Sequence, residues 1–237
     1  MKALLFAAGK GTRLRPFTDS HPKALMPVNG VPLLERNIRY LQSYGINSFV
    51  INLHHFGDQI REFLDLNSNF GANIEFSDES ELLLETGGGL LFAKEFLEDE
   101  KDFIIMNSDI LTDLNLKSLI DFHASSESLV TLAVSNRTSS RKLLFTDQNQ
   151  LKGWRNTSTG EERLAAPAST LHALAFSGIH CMNSGFFKKM KRTGKFSIMD
   201  EYLDHMREGI IQGFEHKAMF VDVGRPESVI EAEKHFN

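Results

Sequence analysis

The chain has 237 residues, long enough for one large α/β domain, and its 41% hydrophobic and 24% charged content is that of an ordinary soluble globular protein. A formal charge of −5 without a long basic run excludes nucleic acid and anionic membrane surfaces as expected partners, and no apolar stretch approaches the length of a membrane span. The single cysteine, Cys181, cannot form an internal disulfide, and Leu4-Leu5-Phe6 is too short for a secretory core, so a cytoplasmic domain is expected.

Residues 3–8 form an apolar run that reads as a short strand buried on both faces. It empties into Gly9-Lys10-Gly11-Thr12-Arg13, where glycine lets the main chain approach a phosphate closely. Ten residues on, Lys23 is held between Pro22 and Pro27, which restrict the backbone on either side. Two fixed cations, Arg13 and Lys23, beside one phosphate-sized turn point to chemistry on a polyphosphate. The turn fits neither G-x-G-x-x-G nor G-x-x-x-x-G-K-[ST], so a NAD-binding oxidoreductase and a P-loop protein are disfavoured.

Residues 31–44 carry Leu33, Leu34, Ile38 and Leu41 at helical spacing, and Gly45 stops the helix. A buried strand over 49–53, a helix over 57–66 and a short strand over 73–76 follow. This alternation predicts βαβ units and a mostly parallel sheet, with right-handed crossovers and ligands at the C-terminal strand ends. His54-His55 has no companion Cys or His at zinc-ligand spacing, so surface or helix-capping roles are favoured. Gly87-Gly88-Gly89 precedes a helix expected over 90–96, and such a run is costly in chain entropy unless something approaches the backbone. It reads either as a plain helix start, with Glu85 complementing the dipole, or as a second phosphate or base contact.

Residues 102–109 form a strand ending on Asp109, a position where ligands bind in sheets of this type, although a lone Asp there also serves as a turn or cap. A helix over 114–123 and a strand over 128–134 lead into a polar stretch, 137–167, read as short hairpins with mobile loops. Within it Trp154 suits core packing or stacking on a sugar, and Arg155 suits an acceptor phosphate or solvent. The strand over 174–180 holds an interior glycine, Gly178, which marks close backbone approach. A helix begins near Phe196 with Ser197 or Asp200 as cap. Asp222, between Val221 and Val223, needs a cation or donors if it is buried. The chain then turns at Gly224 and Pro226 into a final helix over 227–236.

Three separated motifs together resemble the sugar-1-phosphate nucleotidyltransferases. The string L-x-A-G-x-G-T-R-L-R-P-x-T, followed by P-K-x-x-x-P-V, is similar to the family's opening signature, and the chain matches it at Ala8, Gly9, Gly11, Thr12, Arg13 and Lys23 among others. L-E-T-G-G-G sits where the family has G-T-[AG]-G against the nucleotide base and sugar, with Glu85 in place of the first glycine. This form looks most like the uridylyltransferases of N-acetylmuramic acid 1-phosphate. Asn107-Ser108-Asp109 and Asp222-Val223-Gly224-Arg225-Pro226-Glu227 resemble the family's G-D and D-x-G-T-P-E motifs, with Ser108 for glycine and Arg225 for threonine.

The resemblance implies a Rossmann-like three-layer α/β/α sandwich with a mostly parallel mixed sheet, of the nucleotide-diphospho-sugar transferase type. It implies one domain over 1–237, with nucleotide bound by residues 1–135 and sugar phosphate by 136–237. Arg13, Lys23, Asp109 and Asp222 would be catalytic, the two acids holding Mg²⁺, which favours one or two carboxylates plus phosphate oxygens and water. Ala8, Gly9, Gly11, Thr12, Arg13, Lys23, Gly87 and Gly88 would bind the NTP, and Asn107, Arg155 and Gly178 the sugar 1-phosphate. UTP and N-acetylmuramic acid 1-phosphate lead. A guanylyltransferase for mannose or heptose 1-phosphate, a cytidylyltransferase for phosphocholine and a catalytically silent regulatory subunit stand as alternatives. An appended acyltransferase β-helix is not expected, and no segment signals an oligomer interface.

Overall fold

Strand β1 (Ala3–Phe6) shows how the layers arise. Ala3 and Leu5 pack into one hydrophobic cluster and Leu4 into another, so the uninterrupted apolar run is buried on both faces. The fold is taken from a computed structural model that describes residues 1–165 and 170–236.

A two-residue hairpin, β2 (Pro27–Val28) and β3 (Val31–Pro32), delivers the chain into helix α1 (Leu33–Gln42). Next come β4 (Ser48–Leu53), parallel to β1, then α2 (Gly57–Leu66) and β5 (Asn73–Asp78), parallel to β4. Helices α3 (Glu85–Phe92) and α4 (Lys94–Leu97) cross to β6 (Asp102–Asn107), which pairs parallel with the other side of β1. After β7 (Ile110–Thr112) and α5 (Leu116–Ala124) comes β8 (Val130–Ser135). The polar stretch then forms an antiparallel meander, β9 (Arg141–Phe145), β10 (Leu151–Asn156) and β11 (Glu162–Leu164), the short hairpins expected there. The last residues of that stretch, 166–167, lie outside the described residues.

The twelve-residue β12 (His172–Asn183) joins the two halves of the sheet. Its start pairs with β9, its end pairs with β6, and β8 runs along its other edge, all antiparallel. Gly178 sits in a register irregularity between Phe176 and His180 with a φ of +71°, a left-handed conformation that glycine adopts without Cβ strain. The chain ends with α6 (Ile198–Asp204), β13 (Ile211–Glu215) parallel to β8, β14 (Phe220–Asp222) antiparallel to β7, and α7 (Pro226–His235).

Helices α1, α2 and α5 cover one face through Leu34, Ile38, Ile60, Leu64, Leu116 and Leu119. The other face is covered by α3, α4 and α6 through Leu90, Leu97, Ile198 and Tyr202. The expected three-layer α/β/α architecture is therefore present, with parallel pairing along β6-β1-β4-β5 and between β8 and β13 in one ten-stranded mixed sheet. A third cluster, with Leu14, Met26, Leu111, Val221, Val223 and Ala232, seats β14 and α7 on the N-terminal loop and so fixes where Asp222 lies. The helix expected from Leu90 begins at Glu85 instead, running through all three glycines. Strand β13 was not foreseen; its IQGFE sequence carries an interior glycine that weakens the strand pattern.

His180, inside β12, is fully buried, and neither ring nitrogen has a hydrogen-bond partner among the described residues. Burial pushes its imidazole down to about 3 from the ordinary 6.5. The unfolded chain therefore binds a proton that the fold refuses between those values, so stability falls as pH drops below 6.5. From this residue alone, lowering the pH from 7 to 5 should cost about 2 kcal/mol. Urea unfolding of the native protein and His180→Leu at both pH values checks this: the variant should show a pH loss smaller by that amount, and equal losses would refute it.

Candidate active site

The corner that follows β1 is held from beneath by a buried polar chain. The amides of Ala7 and Ala8 donate to Asn52 Oδ1 at 2.6 and 3.1 Å, and Asn52 Nδ2 donates to Glu79 Oε1 at 2.8 Å. Glu79 Oε2 accepts from the Leu84 amide at 3.0 Å, so one network ties the ends of β1, β4 and β5 to the entry of α3. Burial raises the Glu79 carboxyl above its ordinary range, opposed by the bonds from Leu84 and Asn52. Above this floor Gly9 has nothing within 4 Å of where a Cβ would sit, leaving open space over the backbone. Gly11 is glycine for an internal reason: its φ is +60° and a Cβ would come within 2.9 Å of both Lys23 Cβ and Thr18 Cγ2.

A cavity of about 350 Å³ opens at this corner, lined by Ala8, Gly9, Lys23, Glu85, Thr86 and Asn107 among others. Thr12 is exposed on a single helical turn and lines no described cavity. Gly87 and Gly88 depart from their expected place. Their amides donate to the Phe196 carbonyl at 2.9 and 3.3 Å, and neither lines the cavity; Glu85 and Thr86 do. The glycines are needed for packing instead, since a Cβ on Gly87 would lie 2.3 Å from the Phe196 ring and one on Gly88 2.2 Å from the Gly194 carbonyl oxygen. Ser197, one of the two expected caps, accepts from the Met199 amide at 3.3 Å and lines the same cavity.

Both departures from the family motifs in this region are legible. Glu85 has a φ of +60°, where the family's glycine would rest unstrained and a side chain costs roughly 1–2 kcal/mol; its carboxylate stands 3.7 Å from Lys195 Nζ. Ser108 keeps a negative φ, its amide bonded to the Phe6 carbonyl at 3.1 Å and its own carbonyl to Asn37 Nδ2 at 2.8 Å, so glycine is not required there.

The four residues expected to be catalytic come together. Lys23 Nζ donates to Asp109 Oδ2 in an ion pair, while Asp109 Oδ1 is buried without a hydrogen-bond partner among the described residues. The Val223 amide donates to the Asp109 carbonyl at 2.8 Å, and Asp222 pairs with Ile110 in the β14–β7 ladder, so the backbone sets the two acids side by side. Around the position a Gly224 Cβ would take lie Asp222 Oδ1 at 2.8 Å, Arg13 Nη2 at 3.0 Å and Lys23 Nζ at 3.6 Å. Asp222 is exposed to the cavity rather than buried in the core; partial desolvation between the surrounding walls, and next the charge of Asp109, raise its carboxyl against the pull of Lys23, Arg13 and Arg137. Among the described residues no group of three or more His, Cys, Asp or Glu gathers as a metal cluster. Two carboxylates with an unpaired oxygen are nevertheless the donor set a hard divalent cation takes when phosphates and water complete its shell.

A second cavity of about 680 Å³ lies on the other side of this cluster. Trp154, Leu143, Phe176 and Met199 give it an apolar side; Arg13, Arg137, Arg141, Arg225 and Asp222 give it charge. Trp154 packs half-buried against the second core cluster, as one of its two expected roles requires, and also lines the cavity. Arg155 does not reach this place. It follows Trp154 on a strand, so it points to the opposite face, and its Nε donates to Glu162 Oε1 at 2.6 Å there. Arg137 and Arg141, which the sequence pattern does not single out, line the cavity instead. Gly178 lies beneath Asn107 and Ile110, where a Cβ would come 3.2 Å from Asn107 Nδ2 and 2.7 Å from Ile110 Cγ1.

A model of the nucleotidyl transferase family matches residues 2–237. The chain is 30% identical over 224 residues to the N-acetylmuramate alpha-1-phosphate uridylyltransferase of Neisseria meningitidis, covering 94% of this chain and 93% of that protein. It is 26% identical over 232 residues to the mannose-1-phosphate guanyltransferase of Gibberella zeae, covering 97% of this chain but 62% of that longer one. The crystal structure of HddC from Yersinia pseudotuberculosis complexed with GMP-PN shares the fold, with a TM-score of 0.80 at 22% identity over 100% of this chain and 99% of that one.

Proposed function

The chain belongs to the nucleotidyl transferase family and is a sugar-1-phosphate nucleotidyltransferase, and we propose that it carries a uridylyl group from UTP to N-acetylmuramic acid 1-phosphate with Mg²⁺ as cofactor. The meeting of Arg13, Lys23, Asp109 and Asp222 between two cavities is the observation that carries this reading. The preference for UTP and N-acetylmuramic acid 1-phosphate is supported by the L-E-T-G-G-G stretch and by the Neisseria relative.

In this reading the nucleotide lies over Ala8 and Gly9, with its base side toward Glu85 and Thr86. The acceptor sugar lies against Trp154. An oxygen of the acceptor phosphate attacks the α-phosphorus as the α–β bridging bond breaks, and pyrophosphate leaves. The attacking oxygen is already an anion, so no general base is called for. The obstacle is repulsion between anions, and catalysis is positioning plus charge neutralisation. Lys23 meets the α-phosphate or the attacking oxygen, and Arg13 the leaving pyrophosphate. Asp109 and Asp222 would hold the divalent cation, whose contribution when bound is to offset phosphate charge.

The test is pyrophosphate release, with Mg²⁺, from UTP, GTP, dTTP and CTP against a panel of sugar 1-phosphates. UTP with N-acetylmuramic acid 1-phosphate should turn over fastest, and Asp109→Asn should abolish most of that rate. Preference for GTP with mannose or heptose 1-phosphate would replace this reading by the guanylyltransferase one, which the Gibberella relative favours. Silence across the panel without NTP binding would overturn it.

A further inference from the structure

The second cavity carries more positive charge than a single phosphate explains. Its walls bear four guanidiniums and one carboxylate, and these are not equivalent. Arg13 gathers with Lys23 beside Asp222 at the junction of the two cavities. Arg137 is committed to the fold: it donates from Nη2 to the Phe176 carbonyl at 2.8 Å, lies 4.5 Å over the Phe220 ring, and faces the Asp222 charge. That leaves Arg141 and Arg225, each exposed in the cavity and neither in an ion pair among the described residues. Arg141 begins β9 and shares a face with Leu143, which pairs with Trp154, so a guanidinium stands at the edge of the apolar platform. Arg225 replaces the threonine of D-x-G-T-P-E, so its charge is an addition to the motif rather than part of it.

An uncharged sugar seated on Trp154 would leave these two forks without a partner. A carboxylate matches a guanidinium fork in both shape and charge. We propose that Arg141 and Arg225 recognise a carboxylate on the acceptor sugar, separate from its 1-phosphate, and that the pocket thereby selects acidic sugar phosphates over neutral ones. This rests on the reading of the cavity as the acceptor site.

The test compares N-acetylmuramic acid 1-phosphate with N-acetylglucosamine 1-phosphate, which differ by a carboxylate-bearing ether, in the native enzyme, Arg141→Gln and Arg225→Thr. Losing a hydrogen bond to a charged group should lower the kcat/KM ratio of acidic to neutral acceptor by about 10- to 100-fold, chiefly through KM. Amidating the carboxylate should penalise the native enzyme far more than the variants. Equal losses on both acceptors would overturn the proposal, because the guanidiniums would then serve the shared phosphate. If no acceptor turns over, the activity reading fails on its own. Calorimetric titration of the two sugar phosphates then decides: tighter binding of the acidic one that vanishes in Arg225→Thr supports the proposal, and equal binding overturns it.

Discussion

Replacing Lys23 with methionine is expected to lower kcat/KM by about 10²–10³-fold, the loss seen when one preorganised electrostatic contact is removed from a transition state. The geometry makes Lys23 hard to substitute. Its backbone is fixed in a short helical turn after Pro22, its Nζ is paired with Asp109, and it lines the first cavity while standing beside Asp222 and Arg13. If the two phosphates meet here as proposed, their negative charge is most concentrated as the new bond forms, so the deficit should appear mainly in kcat. Stability should change little by comparison. Asp109 retains a side-chain exposure of 24%, so the lone carboxylate can be hydrated. Steady-state kinetics alongside thermal unfolding separates these effects, and a methionine variant with undiminished kcat would remove Lys23 from the mechanism.

Gly88→Ala should destabilise the fold by about 3 kcal/mol, at the upper end of the cost of overpacking. In a helix interior alanine is ordinarily better than glycine by up to about 1 kcal/mol, so propensity argues for a gain. The environment reverses the sign. The new Cβ would stand 2.2 Å from the Gly194 carbonyl oxygen and 2.9 Å from Leu84 Cβ, and the first of these is backbone that no rotamer can move aside. Relief requires parting α3 from the segment at 194–196 and stretching the Gly87 and Gly88 bonds to Phe196. Urea denaturation measures this directly. An alanine variant as stable as the parent would show that the contact gives way cheaply.

Much of this was legible in the chain because the signals were local. An apolar run ending in glycine gave β1 and its corner, and a lysine between prolines gave the position of Lys23. Asp109 and Asp222 were each marked by a strand end, although their adjacency depends on the β7–β14 ladder, which pairs residues more than a hundred positions apart. Asn52 and Glu79 were not found, since a single Asn inside a strand and a single Glu after one look like solvated polar residues. Only the meeting of three strand ends turns them into a floor. The error at Arg155 was one of strand phase: a one-residue shift puts a side chain on the opposite face, and only the pairing of β9 with β10 fixes which face meets the cavity. The glycine triplet was rightly read as close approach, but what approaches Gly87 and Gly88 is the protein's own backbone and Phe196.

The segment from Phe196 to Met199 is clamped from both directions. The Phe196 carbonyl accepts from Gly87 and Gly88, and the Ile198 amide donates to Thr86 Oγ1 at 3.0 Å. Ser197 faces the first cavity and Met199 the second, so one short stretch of chain is a wall of both. On the proposed reading, the two specificities would be inherited together. On that reading, a mutation that reshapes the start of α3 to suit a different base would also displace a wall of the acceptor cavity. Lineages diverging in one substrate must then re-fit the other, and paired changes across this clamp are the economical route between donor–acceptor combinations.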